Sequence, residues 1–196
     1  MPEGPALHYK RHSISFHNRG EKRRRLRVPL TTLMGPKRSE QFRTGIRQVV
    51  HETLASLPRD RPIDIIAALC DPIPSRVYCY WVDAPMADAE FIARSSHVVQ
   101  QVHSRNPETT QAVTESFEAL LEYVDRRIAA VRQTPNTTLL SQLISATKTG
   151  QLTEDDLRNW VVKLAEANTD NSSHQIAIAV IELASRPEIW AMLGRN

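Results

Sequence analysis

The stretch from Thr153 to Ser185 constrains the chain more than any other. Thr153-Glu154-Asp155-Asp156 reads as a helix start, with an alcohol at the cap and acids in the first turn. Leu157, Val161, Leu164 and Ala165 recur at helical spacing, and Ile176, Ala177, Val180, Ile181 and Ala184 resume it after an interruption. Arg186-Pro187 stops it, because a residue before proline is driven out of the helical region. The spacing predicts one helix of roughly 30 residues, about 45–50 Å at 1.5 Å per residue. Such a helix crosses a whole domain. The competing reading is two short helices joined by a loop.

The interruption, Ala167-Asn168-Thr169-Asp170-Asn171-Ser172-Ser173-His174, sets weak helix formers in a row between two apolar ends. Asn, Asp, Ser and Thr compete for backbone hydrogen bonds, so a distorted or wet turn is expected. A polar turn inside a buried helix costs stability, and such turns tend to face a site.

The 196 residues suffice for one domain with a real core. At 41% hydrophobic and 24% charged, the composition is that of a globular chain rather than a disordered or membrane one. No apolar run approaches the roughly 20 residues of a membrane span, and no signal-like stretch follows Met1, so a cytoplasmic location is expected. Cys70 and Cys79 are too few for a disulfide or metal framework and read as small buried hydrophobes.

The net charge is only +3, but Lys10, Arg11, Arg19, Lys22, Arg23, Arg24, Arg25 and Arg27 crowd the first part. Such a cluster suits nucleic acid, anionic lipid, an acidic partner, a bound carboxylate or simply water. No recognition-helix pattern or interleaved aromatics accompany it, which argues against nucleic acid.

Residues 1–19 should be irregular, with His8, His12 and His17 lacking partners at metal-ligand spacing. Gly20 to Leu33 reads as a basic helix that Pro29 ends or kinks. Arg38 to Leu57 reads as an amphipathic helix with Phe42, Ile46, Val49, Val50, Leu54 and Leu57 on one side. Ile63-Asp64-Ile65 is a possible short strand. Helices should then follow from Pro72, from Ala89 under an Asp88 cap, from Asn106-Pro107, and around Leu139 to Ile144. A last one should begin near Ile189. The expected class is all-α, with residues 20–196 as a single helical domain.

Read together, these stretches resemble the cytochrome P-450 superfamily of the soluble bacterial style. Gly20-Glu21-Lys22-Arg23-Arg24-Arg25-Leu26-Arg27 resembles the family's G-E-x-H-x-x-L-R helix, and Thr31 and Gly35-Pro36-Lys37-Arg38 stand for the T and T-P-R-R that follow. Pro72-Ile73-Pro74-Ser75-Arg76-Val77-Tyr78-Cys79 resembles P-x-P-x-x-V-I-C, and Asp83-Ala84-Pro85 stands for G-V-P. Leu152-Thr153-Glu154-Asp155-Asp156-Leu157 resembles L-T-x-D-E-L, Ala167 to Ser172 resembles A-G-x-D/E-T-T, and Arg186-Pro187-Glu188-Ile189-Trp190 resembles H-P-E-x-W. Each motif alone is weak. Their order over about 170 residues makes the resemblance specific.

The resemblance implies a haem-dependent monooxygenase acting on a small organic substrate, with a redox partner and an iron-bound cysteine thiolate. It implies haem-propionate donors at Arg23 and Arg27, and a haem face at Ala167 and Asn168. It places oxygen activation at Asp170, Asn171 and Ser172. Departures are plain. Asn168 stands for the glycine, which sets a side chain toward the haem face. Asn171 stands for the alcohol, with the Ser172 hydroxyl next to it, and Arg23 stands for the propionate histidine. The family's thiolate loop has no counterpart here, and neither Cys70 nor Cys79 has the glycine-rich surroundings of an iron ligand. Two E-x-x-R strings, Glu21 to Arg24 and Glu40 to Arg43, lie in the wrong part of the fold.

Three readings follow. The first is a truncated or split haem-thiolate monooxygenase, inactive without its missing C-terminal half. The second is a haem-free auxiliary protein that activates a partner enzyme such as a glycosyltransferase. The third and weakest is a basic helical domain on nucleic acid. The first two share an expectation: an apolar central helix stripped of its flanking half must meet a partner or itself.

Overall fold

The structure, a computed structural model, describes residues 20–104 and 106–195. The irregular segment 1–19, with its three histidines and Lys10, Arg11 and Arg19, lies outside the described residues. Nine α-helices account for most of the described residues: α1 (Gly20–Met34), α2 (Pro36–Ser39), α3 (Arg43–Ala55), α4 (Pro72–Trp81), α5 (Ala89–Gln100), α6 (Pro107–Gln133), α7 (Leu139–Lys148), α8 (Glu154–Ala184) and α9 (Pro187–Leu193). Short 3-10 turns occupy Glu40–Phe42, Met86–Asp88 and Gln101–His103, and a π-helical turn covers Ile66–Cys70. Among the described residues there is no strand.

Within Thr153 to Ser185, Glu154–Ala184 is one helix of 31 residues. Its start is a full capping box: the Thr153 hydroxyl accepts from Asp156 N–H at 3.1 Å, and the Asp156 carboxylate accepts from Thr153 N–H at 3.0 Å. Helices α4, α5, α6, α7 and α9 and the π turn all pack on α8. Tyr78, fully buried on α4, donates its phenolic hydroxyl to the Val161 carbonyl at 3.1 Å. Leu157, Trp160, Val161, Val162, Leu164 and Ala165 fill the core around this first half.

The central helix is continuous as expected, and the distortion expected at Ala167 to His174 does not interrupt it: α8 is α-helical throughout. The polar side chains bond back along the helix instead of opening it. Thr169 Oγ1 donates to the Ala165 carbonyl at 2.8 Å, and Asn171 Nδ2 to the Ala167 carbonyl at 3.0 Å. The two-helix alternative is thereby overturned.

Four other readings change in detail. Pro29 does not end α1, which runs on to Met34. The helix expected from Arg38 to Leu57 is split into α2, a 3-10 turn and α3, and Leu54 stands exposed while Phe42 and Val49 are buried. Ile63-Asp64-Ile65 forms no strand, because Asp64 Oδ1 accepts from the Ile66 amide at 2.9 Å and starts a helical turn. Asp88 precedes α5 without capping it, and its Oδ2 instead accepts from the Tyr123 hydroxyl at 2.9 Å. Asn106 does cap α6, accepting from the Glu108 amide at 2.9 Å with Pro107 in the first turn. Both E-x-x-R strings are local surface pairs, Arg24 with Glu21 at 3.8 Å and Arg43 with Glu40 at 2.6 Å.

Candidate functional site

Residues three and four apart share a helix face. Ala167, Asn171, His174, Ile178 and Ile181 therefore form one stripe along α8, and all five are exposed. The opposite side of the same turns is closed. Thr169 and Ser173 are buried, as is Glu166, which accepts from Lys163 Nζ at 2.9 Å. Gln100 on α5 donates to the Glu166 carbonyl at 3.2 Å and holds that helix in place.

The three residues expected to carry oxygen activation point in different directions. Asp170 turns toward α5, where its Oδ1 lies 4.0 Å from His97 Nδ1. Its Oδ2 lies 3.9 Å from His174 Nδ1, and that nitrogen is also 3.0 Å from the Asp170 carbonyl oxygen. Asn171 faces outward on the stripe. Ser172 is half-buried, and its hydroxyl donates to Asn168 Oδ1 at 3.4 Å, away from the open face.

Of the two haem-face positions, Ala167 is exposed on the stripe. Asn168 is half-buried, and its side-chain amide donates to the Pro74 carbonyl on α4 at 2.6 Å. The side chain expected across the haem face is thus drawn onto a neighbouring helix.

Between α5 and α8 lies a cavity of about 320 Å³, lined in part by Asp71, Arg94, His97, Thr169, Asp170 and Ser173. The Ser173 hydroxyl donates to Asp71 Oδ1 across it. His97 and Asp71 escaped the reading of the sequence, because their partners lie 73 and 102 positions along the chain and no local spacing marks them. Glu166 escaped too, although Lys163 three residues before it is a local signal of an ion pair.

Arg23 and Arg27 sit exposed on one face of α1, while Leu26 on the other face is buried in the main core. Helix α1 packs on α7, which packs in turn on α8. Two guanidiniums on an exposed face suit the carboxylates of a bound anion.

An axial iron ligand is another matter. Cys70 and Cys79, the chain's two cysteines, are both fully buried in the core. Burial raises the Cys70 thiol above its ordinary pKa and pushes Cys79 up to about 12. A ligand to iron must be an accessible thiolate, and neither fits. Among the described residues no three His, Cys, Asp or Glu side chains are placed to hold a metal ion. The two buried cysteines thus do not fit the axial bond of a haem, whereas the exposed guanidiniums of Arg23 and Arg27 leave room for its anionic edge.

The long central helix carries an acid–amide turn beside an open stripe, with a two-arginine helix one layer away. Comparisons with known proteins bring the chain near the cytochrome P450s. No protein-family model matches the chain. It is 24% identical over 197 residues to luteothin monooxygenase of Streptomyces thioluteus, covering 100% of this chain and 48% of that protein. It is 27% identical over 173 residues to nocardicin C N-oxygenase of Nocardia uniformis subsp. tsuyamanensis, covering 88% and 43%. Among solved structures, P450BioI in complex with an acyl carrier protein superposes at a TM-score of 0.83 and 21% identity, covering 98% of this chain and 50% of that one. Mycinamicin VIII C21 methyl hydroxylase of Micromonospora griseorubida superposes at 0.75 and 25%, covering 91% and 45%. In sequence and fold the chain is similar to the central helical part of cytochrome P450s. It spans about half the length of the relatives it matches.

Proposed function

We propose that the open stripe of α8 is one wall of a haem pocket, and that the chain takes part in cytoplasmic oxidation of a small organic natural product. Residues 20–196 act in it as one helical domain. The observation that carries this reading is the pairing on adjacent faces of one turn: Ala167 and Asn171 exposed on the stripe, and Asp170 half-buried beside them. The matched relatives bear the names of oxygenases on luteothin, nocardicin C and mycinamicin VIII, which supports the reaction class.

In this reading Arg23 and Arg27 neutralise the two propionates with charge-assisted hydrogen bonds. Ala167 leaves room on the stripe, and Asn168, held on Pro74, stays clear of it. Asp170, turned toward α5, reaches the stripe through His174, 3.9 Å from its Oδ2, and His97 and the α5–α8 cavity connect it to solvent. Asn171 keeps its amide on the Ala167 carbonyl and supplies no hydroxyl. The haem, when bound, supplies oxygen activation. Its thiolate comes from outside the two buried cysteines, so a further polypeptide completes the pocket and a redox partner feeds it electrons.

The test is the reduced carbon-monoxide spectrum of the chain isolated undenatured from its own cells, before and after added haemin. The expected result is a saturable thiolate-type Soret band, weakened by Arg23→Gln with Arg27→Gln. No specific band in either condition overturns the reading. The second reading, a haem-free auxiliary protein, then stands, and it already draws support from the amide at Asn171 and the burial of both cysteines.

A further inference from the structure

Pro85, Asp88 and Phe91, before and at the start of α5, and Tyr123, Arg126 and Arg127 on α6 line a second cavity of about 460 Å³. It shares none of these residues with the α5–α8 cavity, and none of them lies on α8. A cavity of this size, walled by aromatic side chains with a few charged groups, has the make-up of a small-molecule site. Its walls are held from behind. Tyr123 is buried, meets the Phe91 ring at 5.4 Å between centroids, and donates its hydroxyl to Asp88 Oδ2 at 2.9 Å. Arg127 donates to the carbonyls of Val82, at 3.5 Å, and Asp83, and lies 3.9 Å from Asp83 Oδ2. Asp83 sits in the left-handed region at φ +55°, where the G-V-P segment it resembles carries glycine. Its Oδ2 also accepts from Asn136 Nδ2 at 2.9 Å. A side chain in a glycine's place thus fixes Arg127 in the wall and neutralises it.

Arg126 is not neutralised. Its Cζ stands 5.9 Å over the centroid of the Tyr123 ring, and the side chain is exposed. Among the described residues no carboxylate pairs with it: Glu122, one turn before it, does not reach, and Asp125 accepts both of its 2.7 Å bonds from Arg158. A guanidinium held over a ring face with its fork of donors unspent suits a planar carboxylate. Asp88, at the hydroxyl tip of the same ring, turns an anionic group toward Arg126 and opposes a dianion more than a monoanion. The Phe91 and Tyr123 rings favour an aromatic body laid against them.

We propose that the α5–α6 cavity binds a small aromatic monocarboxylate, with its carboxylate on Arg126 and its ring against Phe91 and Tyr123. Neither the cavity nor its ligand depends on a haem at the stripe.

The test is titration of the full chain with 3-phenylpropionate, followed by calorimetry and by saturation-transfer NMR of the ligand's ring protons. The expected result is saturable binding, weakened about tenfold by Arg126→Gln, as loss of a charge-assisted hydrogen bond implies. Binding should weaken similarly for 3-phenylpropionamide, which keeps the ring and loses the charge. Hexanoate, which keeps the charge and loses the ring, and phenyl phosphate, a dianion, should also bind more weakly. Arg126 is exposed and its described contact is with the Tyr123 ring, so Arg126→Gln should keep the helicity and melting temperature of wild type. Arg94→Gln, in the α5–α8 cavity, should keep wild-type affinity. No saturable binding overturns the proposal. So does binding that is unchanged in Arg126→Gln, equal for the amide or hexanoate, or tighter for phenyl phosphate. Loss of binding in Arg94→Gln but not in Arg126→Gln overturns it too, by placing the ligand beside α8.

Discussion

The side-chain amide of Asn168 donates to the carbonyl oxygen of Pro74 at 2.6 Å, a contact between α8 and α4 across 94 positions of sequence. A residue that stands in a glycine's place is thereby made part of the packing and kept off the open stripe. Replacing it should cost stability rather than clear the site. Asn168→Ala loses the part-buried bond to Pro74, worth about 1 kcal/mol, and the longer one accepted from Ser172. Asn168→Gly loses the same bonds and stands a further ~1 kcal/mol below the alanine variant, the cost of glycine relative to alanine inside a helix. Urea unfolding should rank wild type above Ala above Gly. A glycine variant at least as stable as wild type would show that the Pro74 bond contributes nothing.

Burial also sets how the protein meets alkali. Desolvation raises the hydroxyl of Tyr78 well above its ordinary value, and it raises Tyr123, which also donates to Asp88. Desolvation likewise pushes the Cys79 thiol up to about 12. All three are acids with raised pKa values in the folded state, so the unfolded chain ionises first. Their stabilisation is whole below the unfolded values, about 8.5 for cysteine and 10 for tyrosine, and is lost as pH rises toward the folded ones. The melting temperature should therefore fall steadily from about pH 9 upward. Tyr78→Phe and Tyr123→Phe should flatten that fall. At pH 8 a thiol reagent should modify neither cysteine until denaturant is added.

How much of this was legible depends on the range of the interaction. The start of α8 was, because Thr153 and Asp156 cap each other within four residues. So were α4 and α6, where proline sits in the first turn. The direction of the polar turn was not. Whether Asn168 lies across the stripe or on Pro74 depends on α4, nearly a hundred residues away. Whether Asp170 is open or faced by His97 depends on α5. The distortion expected at Ala167 to His174 leaves the helix unbroken for a local reason: hydroxyls and amides that compete with the backbone also satisfy it when the flanks are packed. The strand at Ile63 to Ile65 was lost to a single carboxylate, that of Asp64.

The close approach of α3 to α4 rests on one missing side chain. The Tyr80 ring occupies the space where a Cβ on Gly45 would sit, and it meets Phe42 edge-on at 6.4 Å between ring centres. Gly45→Ala offers a helix-propensity gain of about 1 kcal/mol. Against that stands overpacking of an aromatic ring, about 1–3 kcal/mol. The clash is with ring atoms, which yield only if the whole tyrosine moves, so the loss should win. The expected result is a net destabilisation of about 1 kcal/mol, relieved when Tyr80 is shortened to Leu. A more stable Gly45→Ala protein would mean that the two helices separate freely.

The end of α8 farthest from the stripe should matter more than its surface pairs. Thr153 and Asp156 close two orphan amides of a helix whose first turns are buried, and Thr153→Ala should cost about 1–2 kcal/mol. Arg132 and Glu154, only a residue away, form an ion pair in which both side chains remain substantially exposed. Exposed pairs of this kind contribute about 0–1 kcal/mol and fade with salt. Thr153→Ala should therefore lower the unfolding midpoint by a similar amount at low and high salt. Arg132→Ala should lower it less, and not at all in about 1 M salt, where the screening length shrinks to about 3 Å. Equal losses for the two variants at high salt would show that the Arg132 pair, rather than the cap, anchors the central helix.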